Sequence, residues 1–61
     1  MENIKDILIR RDDMSSEDAD ELIEMTKDEI RYAISIGDHM LVEHIIASNL
    51  GLELDYLWQL I

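Results

Sequence analysis

The stretch SSEDADELIEMTKDEIRYAISIGD, residues 15–38, decides the fold of this chain. Its apolar positions recur at intervals of three and four residues, which is the period of an α-helix with one buried face. This apolar stripe consists of Ala19, Leu22, Ile23, Thr26, Ile30, Ala33 and Ile34. Because the stripe is unbroken, the spacing predicts a single helix over about residues 16–36.

Residues typical of helix caps stand at both ends of this helix. Ser15 is followed three residues later by Asp18, a variant of the capping box in which a short side chain accepts from early backbone amides. Gly37 suits the left-handed conformation that ends a helix, and Asp38 can cap the next one. The sequence therefore predicts that another helix begins directly after the long one.

Shorter helices are predicted on either side. The first covers about residues 3–10 with Asn3 as its N-cap, and the third covers about residues 39–49 and ends at Gly51. Asp55 is predicted to cap a last helix over residues 56–61. The inward residues expected in these three helices are Ile4, Ile7, Leu8, Leu41, Val42, Ile45, Ile46, Leu57, Leu60 and Ile61. Leu52 is expected to make the apolar contact that accompanies a Schellman motif.

The connections between these helices are short, so consecutive helices must be neighbours in space. We therefore predict that residues 1–61 form a single all-α domain, a compact bundle of three to four short helices with one long central helix. Forty-eight per cent of the residues are hydrophobic, which is enough for a folded core. No cysteine is present, which excludes a disulfide and a thiolate metal site.

Charge is the outlying feature of the composition. Fifteen acidic residues against five basic ones give a net charge of -10. This balance opposes binding to nucleic acid or to an anionic membrane and favours solubility or a basic partner. No apolar run is long enough to span a bilayer, and the acidic N-terminus does not resemble a signal peptide. We therefore expect a cytoplasmic protein.

Carboxylates are concentrated on the side of the long helix opposite its apolar stripe. We name Glu17, Asp20, Glu21, Glu24 and Asp28 the acidic face. Acids in the first turn interact favourably with the helix dipole. The like-charge pairs at spacing i, i+4 further along each cost a few tenths of a kcal/mol, so helix stability would favour some lysine there. Two interpretations stay open: a solvated face, or a binding site for a basic partner.

A binding role for the acidic face admits two kinds of partner. Carboxylates can occupy the basic groove of a nucleic-acid-binding protein, since the guanidinium fork of arginine matches carboxylate and phosphate alike. They can equally contact a basic patch on a protein that has no connection with nucleic acid. The sequence does not separate these two hypotheses.

The C-terminal segment LGLELDYLWQLI, residues 50–61, holds more apolar residues than one face of a short helix can hide. One interpretation is that it closes the core. The other is that Leu54, Trp58 and Ile61, which we name the C-terminal patch, contact a partner or a second copy of the chain. A central tryptophan is a common interface anchor, so a homodimer is an alternative function.

No catalytic or metal-binding pattern is found. His39 and His44 lie about 140° apart around a helix and cannot share a metal ion, although His39 and Glu43 could form half of a site. The acid-rich stretch lacks the glycine of an EF-hand loop, and no serine has a histidine partner at a recognisable spacing. We expect no cofactor, no metal and no enzymatic activity.

Several phrases of this chain resemble a known group of proteins. They are RDDMSSEDADELIE, AISIGD, VEHII and LGLELDYLWQLI, and the resemblance extends from Ile7 to Ile61. The group consists of very short acidic helical proteins encoded by phages, prophages and plasmids of Gram-positive bacteria. The chain departs from it at Leu54, where a proline is expected. The group is mostly uncharacterised, so the resemblance implies a mobile-element setting and carries no activity or site residue across. Small acidic proteins from that setting often bind and inhibit host machinery, including CRISPR and restriction systems, and by analogy we expect the same of this chain.

Overall fold

The structure, a computed structural model, describes residues 2–61. Over that range the chain is helical and contains no strand, which confirms the all-α prediction. The elements are α1 (Ile4–Asp12), α2 (Ser16–Ser35), α3 (His39–Ile45), a π-helical segment (Ile46–Leu50) and a 3₁₀ helix (Leu54–Gln59). The longest element is α2, with twenty residues, and it packs against both α1 and α3.

The apolar stripe of α2 faces the core as predicted, with one exception. Ala19, Thr26, Ile30 and Ala33 are buried, and the leucine and isoleucine between them are half-buried. Ile34 was expected on the same face, but 48% of it is exposed. It lies about 100° around the helix from Ala33, outside the width of α2 that the neighbouring helices cover. The prediction for Ile34 is therefore wrong.

Side-chain caps fix the starts of the three α-helices. Asn3 Oδ1 accepts from the backbone N–H of Lys5 at 2.8 Å, and Ser15 Oγ accepts from that of Asp18 at 3.1 Å. Asp38 Oδ1 accepts from the N–H of Leu41 at 3.0 Å. Each bond satisfies an amide that has no partner within its own helix, which confirms the three predicted N-caps.

The third helix differs from its prediction in geometry. It is α-helical only to Ile45, and the chain then widens into the π-helical segment, in which Ile46 and Leu50 are both buried. Gly51 ends the segment as predicted, at a left-handed φ of +63°. The N–H of Leu52 then donates to the carbonyl of Ile46 at 3.5 Å. This span is one residue wider than a Schellman bond, because the turn before it is wider.

The last helix is 3₁₀ rather than α. Asp55 lies within its first turn, while Glu53 occupies the N-cap position without a capping bond, so the predicted Asp55 cap is wrong. Three residues per turn place Leu54 and Leu57 on one line of the helix, which Leu60 continues at the C-cap, while Ile61 lies beyond the helix end. Accordingly Leu60 is buried and Leu57 half-buried, whereas Ile61 is exposed. The prediction of Ile61 as a core residue is also wrong.

Gln59 fastens the C-terminal segment to the start of α1. Its Oε1 accepts from the N–H of Ile4 at 2.8 Å, and its Nε2 donates to the carbonyl of Glu2 at 2.9 Å. One side-chain amide therefore pairs with the backbone across almost the whole length of the sequence. It satisfies an early amide of α1 that the helix itself leaves unpaired.

Arg11 performs the corresponding task at the other end of α1. Its Nη2 donates to the carbonyl of Leu50 at 2.6 Å and its Nη1 to that of Gly51 at 3.3 Å, where the π-helical segment ends. The Asp12 carboxylate accepts two bonds from the same guanidinium and holds it in place. Its hydrogen bond with Arg11 lowers the pKa of Asp12. This support is therefore complete at neutral pH and is lost as the pH falls through the lowered pKa.

Replacing Gly51 with alanine is expected to lower the free energy of unfolding by about 2 kcal/mol, measured by urea denaturation. A side chain at φ +63° is strained, and its Cβ would stand 3.3 Å from Arg11 Nη1. Gly37→Ala is the matched control, since φ there is +71° and no atom lies within 4 Å of the added carbon. It is expected to cost about 1 kcal/mol. Equal losses in the two variants would show that Arg11 is not held at Gly51.

Candidate functional site

All five carboxylates of the acidic face are exposed along α2, as the sequence predicts for a solvent-facing side. The protein's own bases compensate three of them. Lys5 Nζ lies 3.1 Å from Asp20 Oδ1, and Arg31 Nη1 lies 2.7 Å from Asp28 Oδ1. Lys27 Nζ approaches Glu24 Oε1 at 3.8 Å. These bases therefore relieve the repulsion among Asp20, Glu24 and Asp28.

Glu17 and Glu21 differ from the other three. Neither forms an ion pair with a base between residues 2 and 61. They are four residues apart on one side of α2, so their carboxylates repel each other and no neighbouring base relieves the repulsion. The uncompensated charge of the acidic face is concentrated here, close to the start of the helix.

Apolar surface lies beside these two carboxylates. A shallow depression of about 340 Å³ is lined by Met14, Asp18, Glu21, Leu22 and Met25. Met25 is half exposed and was not singled out in the sequence. Its spacing of four residues from Glu21 was the available signal, because residues four apart are neighbours on a helix surface. Acid and methionine together suit a partner that is basic and partly apolar.

The C-terminal patch is exposed in all three of its predicted members. Trp58 is 81% exposed and Ile61 66%, while Leu54 is 43% exposed. Trp58 lies on the exposed side of the 3₁₀ helix, and Ile61 follows two residues after the helix ends at Gln59. Leu54 lies instead on the line of Leu57 and Leu60, at the outer edge of the core contact. The patch is therefore centred on Trp58 and Ile61.

A third surface, which was not predicted from the sequence, is a groove between α2 and the α3–π region, by which we mean α3 together with the π-helical segment. It measures about 570 Å³, and Asp28, Glu29, Tyr32, Leu41, His44, Ile45, Ser48 and Asn49 line it. The only signal in the sequence was Tyr32, an aromatic residue beside the apolar stripe. The widened turn at Ile46–Leu50 could not be anticipated from the helical spacing.

The polar groups near the core are paired. Thr26 is fully buried, and its Oγ1 donates to the carbonyl of Leu22 at 2.7 Å and accepts from Asn49 Nδ2 at 3.2 Å. Within residues 2–61, no buried side-chain nitrogen or oxygen lacks a hydrogen-bond partner. No cluster of three or more His, Cys, Asp or Glu residues in that range could hold a metal ion. His39 and Glu43, the half-site considered above, form no ion pair in the described part of the chain.

None of the helices between residues 2 and 61 is both long enough and apolar enough to cross a membrane. Comparisons with protein-family models, with curated proteins and with solved structures find no match to this chain. The likeness to short acidic proteins of mobile elements therefore remains a prediction from the sequence.

Proposed function

We propose that this chain is a non-enzymatic interaction protein of a phage or other mobile element. It inhibits or modulates a host protein by placing the acidic face of α2 against a basic surface. The observation that supports this most directly is the uncompensated pair Glu17 and Glu21. Glu17 lies in the first turn, where the helix dipole favours an acid, but helix stability would then favour a base at Glu21. The acidity of Glu21 beside Glu17 is therefore best explained by a partner.

The compensated carboxylates contribute in a different way. Lysine holds Asp20 and Glu24, and the contact at Glu24 is as long as 3.8 Å. A lysine ammonium donates to a carboxylate as a point charge, whereas an arginine of the partner presents two parallel donors. Exchange of Lys27 for a partner arginine at Glu24 therefore costs little. Binding begins at Glu17 and Glu21 and extends along the helix.

Basic surfaces that recognise phosphate are the best match for such a face. A row of carboxylates along a helix meets the same arginine-rich groove that would otherwise hold a nucleic-acid backbone. A host nucleic-acid-binding protein of the defence type is therefore the proposed target, in the host cytoplasm. The net charge of -10 opposes direct contact of this chain with nucleic acid or with an anionic membrane.

The test is affinity capture from a Gram-positive host lysate at about 0.05 M and about 0.5 M salt, where screening of exposed charges differs strongly. We expect a basic protein that is retained at low salt, released at high salt, and inhibited in its own activity by the pure chain. Capture is repeated with a Glu17→Gln/Glu21→Gln variant and with a Glu43→Gln/Glu53→Gln variant of the same net charge. Equal retention by both variants would contradict a role for the acidic face.

A homodimer or accessory subunit that uses the C-terminal patch is the second candidate. The observation that favours it is the 81% exposure of Trp58, since large aromatic side chains at a surface commonly anchor interfaces. If this candidate is correct, sedimentation gives a dimer that persists at high salt and becomes a monomer in Trp58→Ala. Met40→Ala is the matched control, because Met40 is a large exposed apolar residue outside the patch. A monomer at millimolar concentration would exclude this candidate.

A further inference from the structure

The groove between α2 and the α3–π region has an apolar floor and an acidic edge. Leu41 and Ile45 form the floor, and Asp28 and Glu29 line the α2 side. Its volume of about 570 Å³ lies within the range of about 300–1,000 Å³ usual for ligand clefts. It is therefore large enough to receive a long side chain together with part of its backbone.

Glu29 is held in place by neutral groups rather than by a base. Asn49 Nδ2 donates to Glu29 Oε2 at 2.5 Å and also to Thr26 Oγ1 at 3.2 Å. Thr26 is itself fixed, because it is fully buried and donates to the Leu22 carbonyl. Asp28, in contrast, is paired with Arg31. The Glu29 carboxylate therefore lies at the edge of the groove without an ion-pair partner in the described part of the chain, and the core sets its orientation.

Tyr32 supplies the third element of recognition. It lines the groove one helical turn after Asp28 and Glu29 and is 63% exposed, so its ring is accessible to a ligand. An aromatic face attracts a cation, and arginine does so best because its planar guanidinium also stacks. The methylene stem of an arginine side chain packs on apolar surface while its charged group stays in polar surroundings, so an apolar floor suits it.

We propose that this groove binds an arginine side chain of a partner protein, with the stem on Leu41 and Ile45 and the guanidinium between Glu29 and Tyr32. Charge complementarity identifies the occupant: the carboxylate is uncompensated and the net charge is -10, so a cationic segment is favoured over a second copy of this chain. The π-helical segment contributes directly, because Asn49 within it orients Glu29.

This inference deepens the proposed function and rests on it in one respect, namely that the partner is basic. It adds a specific anchoring site on a different part of α2 from Glu17 and Glu21. A partner that contacts both places must carry basic groups at a matching separation along α2, in addition to a positive charge. Specificity for one basic protein among many then comes from the groove rather than from the acidic face.

The test is an NMR titration of the ¹⁵N-labelled protein with acetyl-leucyl-arginyl-leucine amide. The control peptide carries citrulline in place of arginine, which has the same shape and no charge. We expect saturable shifts at the Tyr32, His44 and Ser48 amides with the arginine peptide and at least fivefold weaker binding of the citrulline peptide. Equal binding of the two peptides, or shifts confined to residues 15–25, would overturn the proposal.

Two variants separate the groove from the general charge of the protein. Glu29→Gln removes the charge and keeps an acceptor for Asn49, and it is expected to weaken the arginine peptide about fivefold. Glu43→Gln makes the same change in net charge at an exposed site outside the groove and should weaken it less than twofold. Equal effects would overturn the proposal. A failure of the proposed function alone would give a different result. The Glu17→Gln/Glu21→Gln variant would then capture the partner as well as the original protein does, while the arginine peptide would still bind in the groove.

Discussion

Replacing Ile30 with alanine is expected to lower the free energy of unfolding by about 3–4 kcal/mol. Ile30 is fully buried at the middle of α2, and its side chain belongs to the single core cluster that α1, α2 and α3 share. The substitution removes buried methyl and methylene groups and leaves a cavity that the short helices cannot fill by moving inward. A 61-residue domain has a total stability of only about 3–9 kcal/mol, so this variant should be largely unfolded on warming.

Ile34→Ala is the matched control for this prediction. It makes the same chemical change on the same helix, four residues further on, at a position where 48% of the side chain is exposed. Its expected effect is within about 0.5 kcal/mol, since alanine also has the higher helix propensity. Both are measured by urea denaturation followed by circular dichroism. Equally large losses for the two would mean that Ile34 lies in the core, which would contradict the packing of α2 against α1 and α3.

Replacing Glu17, Glu21, Glu24 and Asp28 together with glutamine or asparagine is expected to weaken partner binding by about thirtyfold. Exposed charge pairs each contribute about 0.2–1 kcal/mol, so four of them amount to about 2 kcal/mol. Folding should not suffer. The lost ion pairs with Lys27 and Arg31 are surface pairs, and the repulsion between the carboxylates is removed as well.

Two measurements on the same sample keep the result unambiguous. Urea denaturation should give a free energy of unfolding within about 0.5 kcal/mol of the original protein, and titration calorimetry with the captured partner should give the weaker binding. A variant that folds normally and binds with unchanged affinity would show that the acidic face is only a solvated surface.

Much of the helical framework was predictable because it depends on local rules. The caps at Asn3, Ser15 and Asp38 and the left-handed glycines follow from backbone groups that each helix leaves unpaired, and neighbouring residues satisfy them. The apolar spacing likewise identified most of the core. Local chemistry of this kind is complete within a few residues of sequence.

Features that depend on distant contacts were not predictable. Gln59 pairs with the backbone of Ile4 across 55 residues, and Arg11 donates to the carbonyl of Leu50 across 39. No spacing rule links such positions. The π-helical segment and the 3₁₀ helix have the same origin, since packing of the chain end against the core overrides the α-helical period. The errors at Ile34, Asp55 and Ile61 all lie within two residues of the beginning or end of a helix.

The candidate site was predictable only in part. Periodicity correctly placed the acidic face in solvent, but it could not show that Lys5, from α1, would reach Asp20. Because bases near and far in the sequence compensate three of the carboxylates, the ion pairs decide which carboxylates are left without a partner base. Glu17 and Glu21 emerge as the uncompensated pair only when the ion pairs of the folded chain are known.

The most direct test of binding through the acidic face is a comparison of two double variants against the captured partner in the same buffer. Glu17→Gln/Glu21→Gln and Glu43→Gln/Glu53→Gln change the net charge equally, and all four positions are exposed. The dissociation constant is predicted to rise about fivefold in the first variant, which corresponds to about 1 kcal/mol, and to stay within twofold in the second. Equal dissociation constants for the two variants would contradict the account.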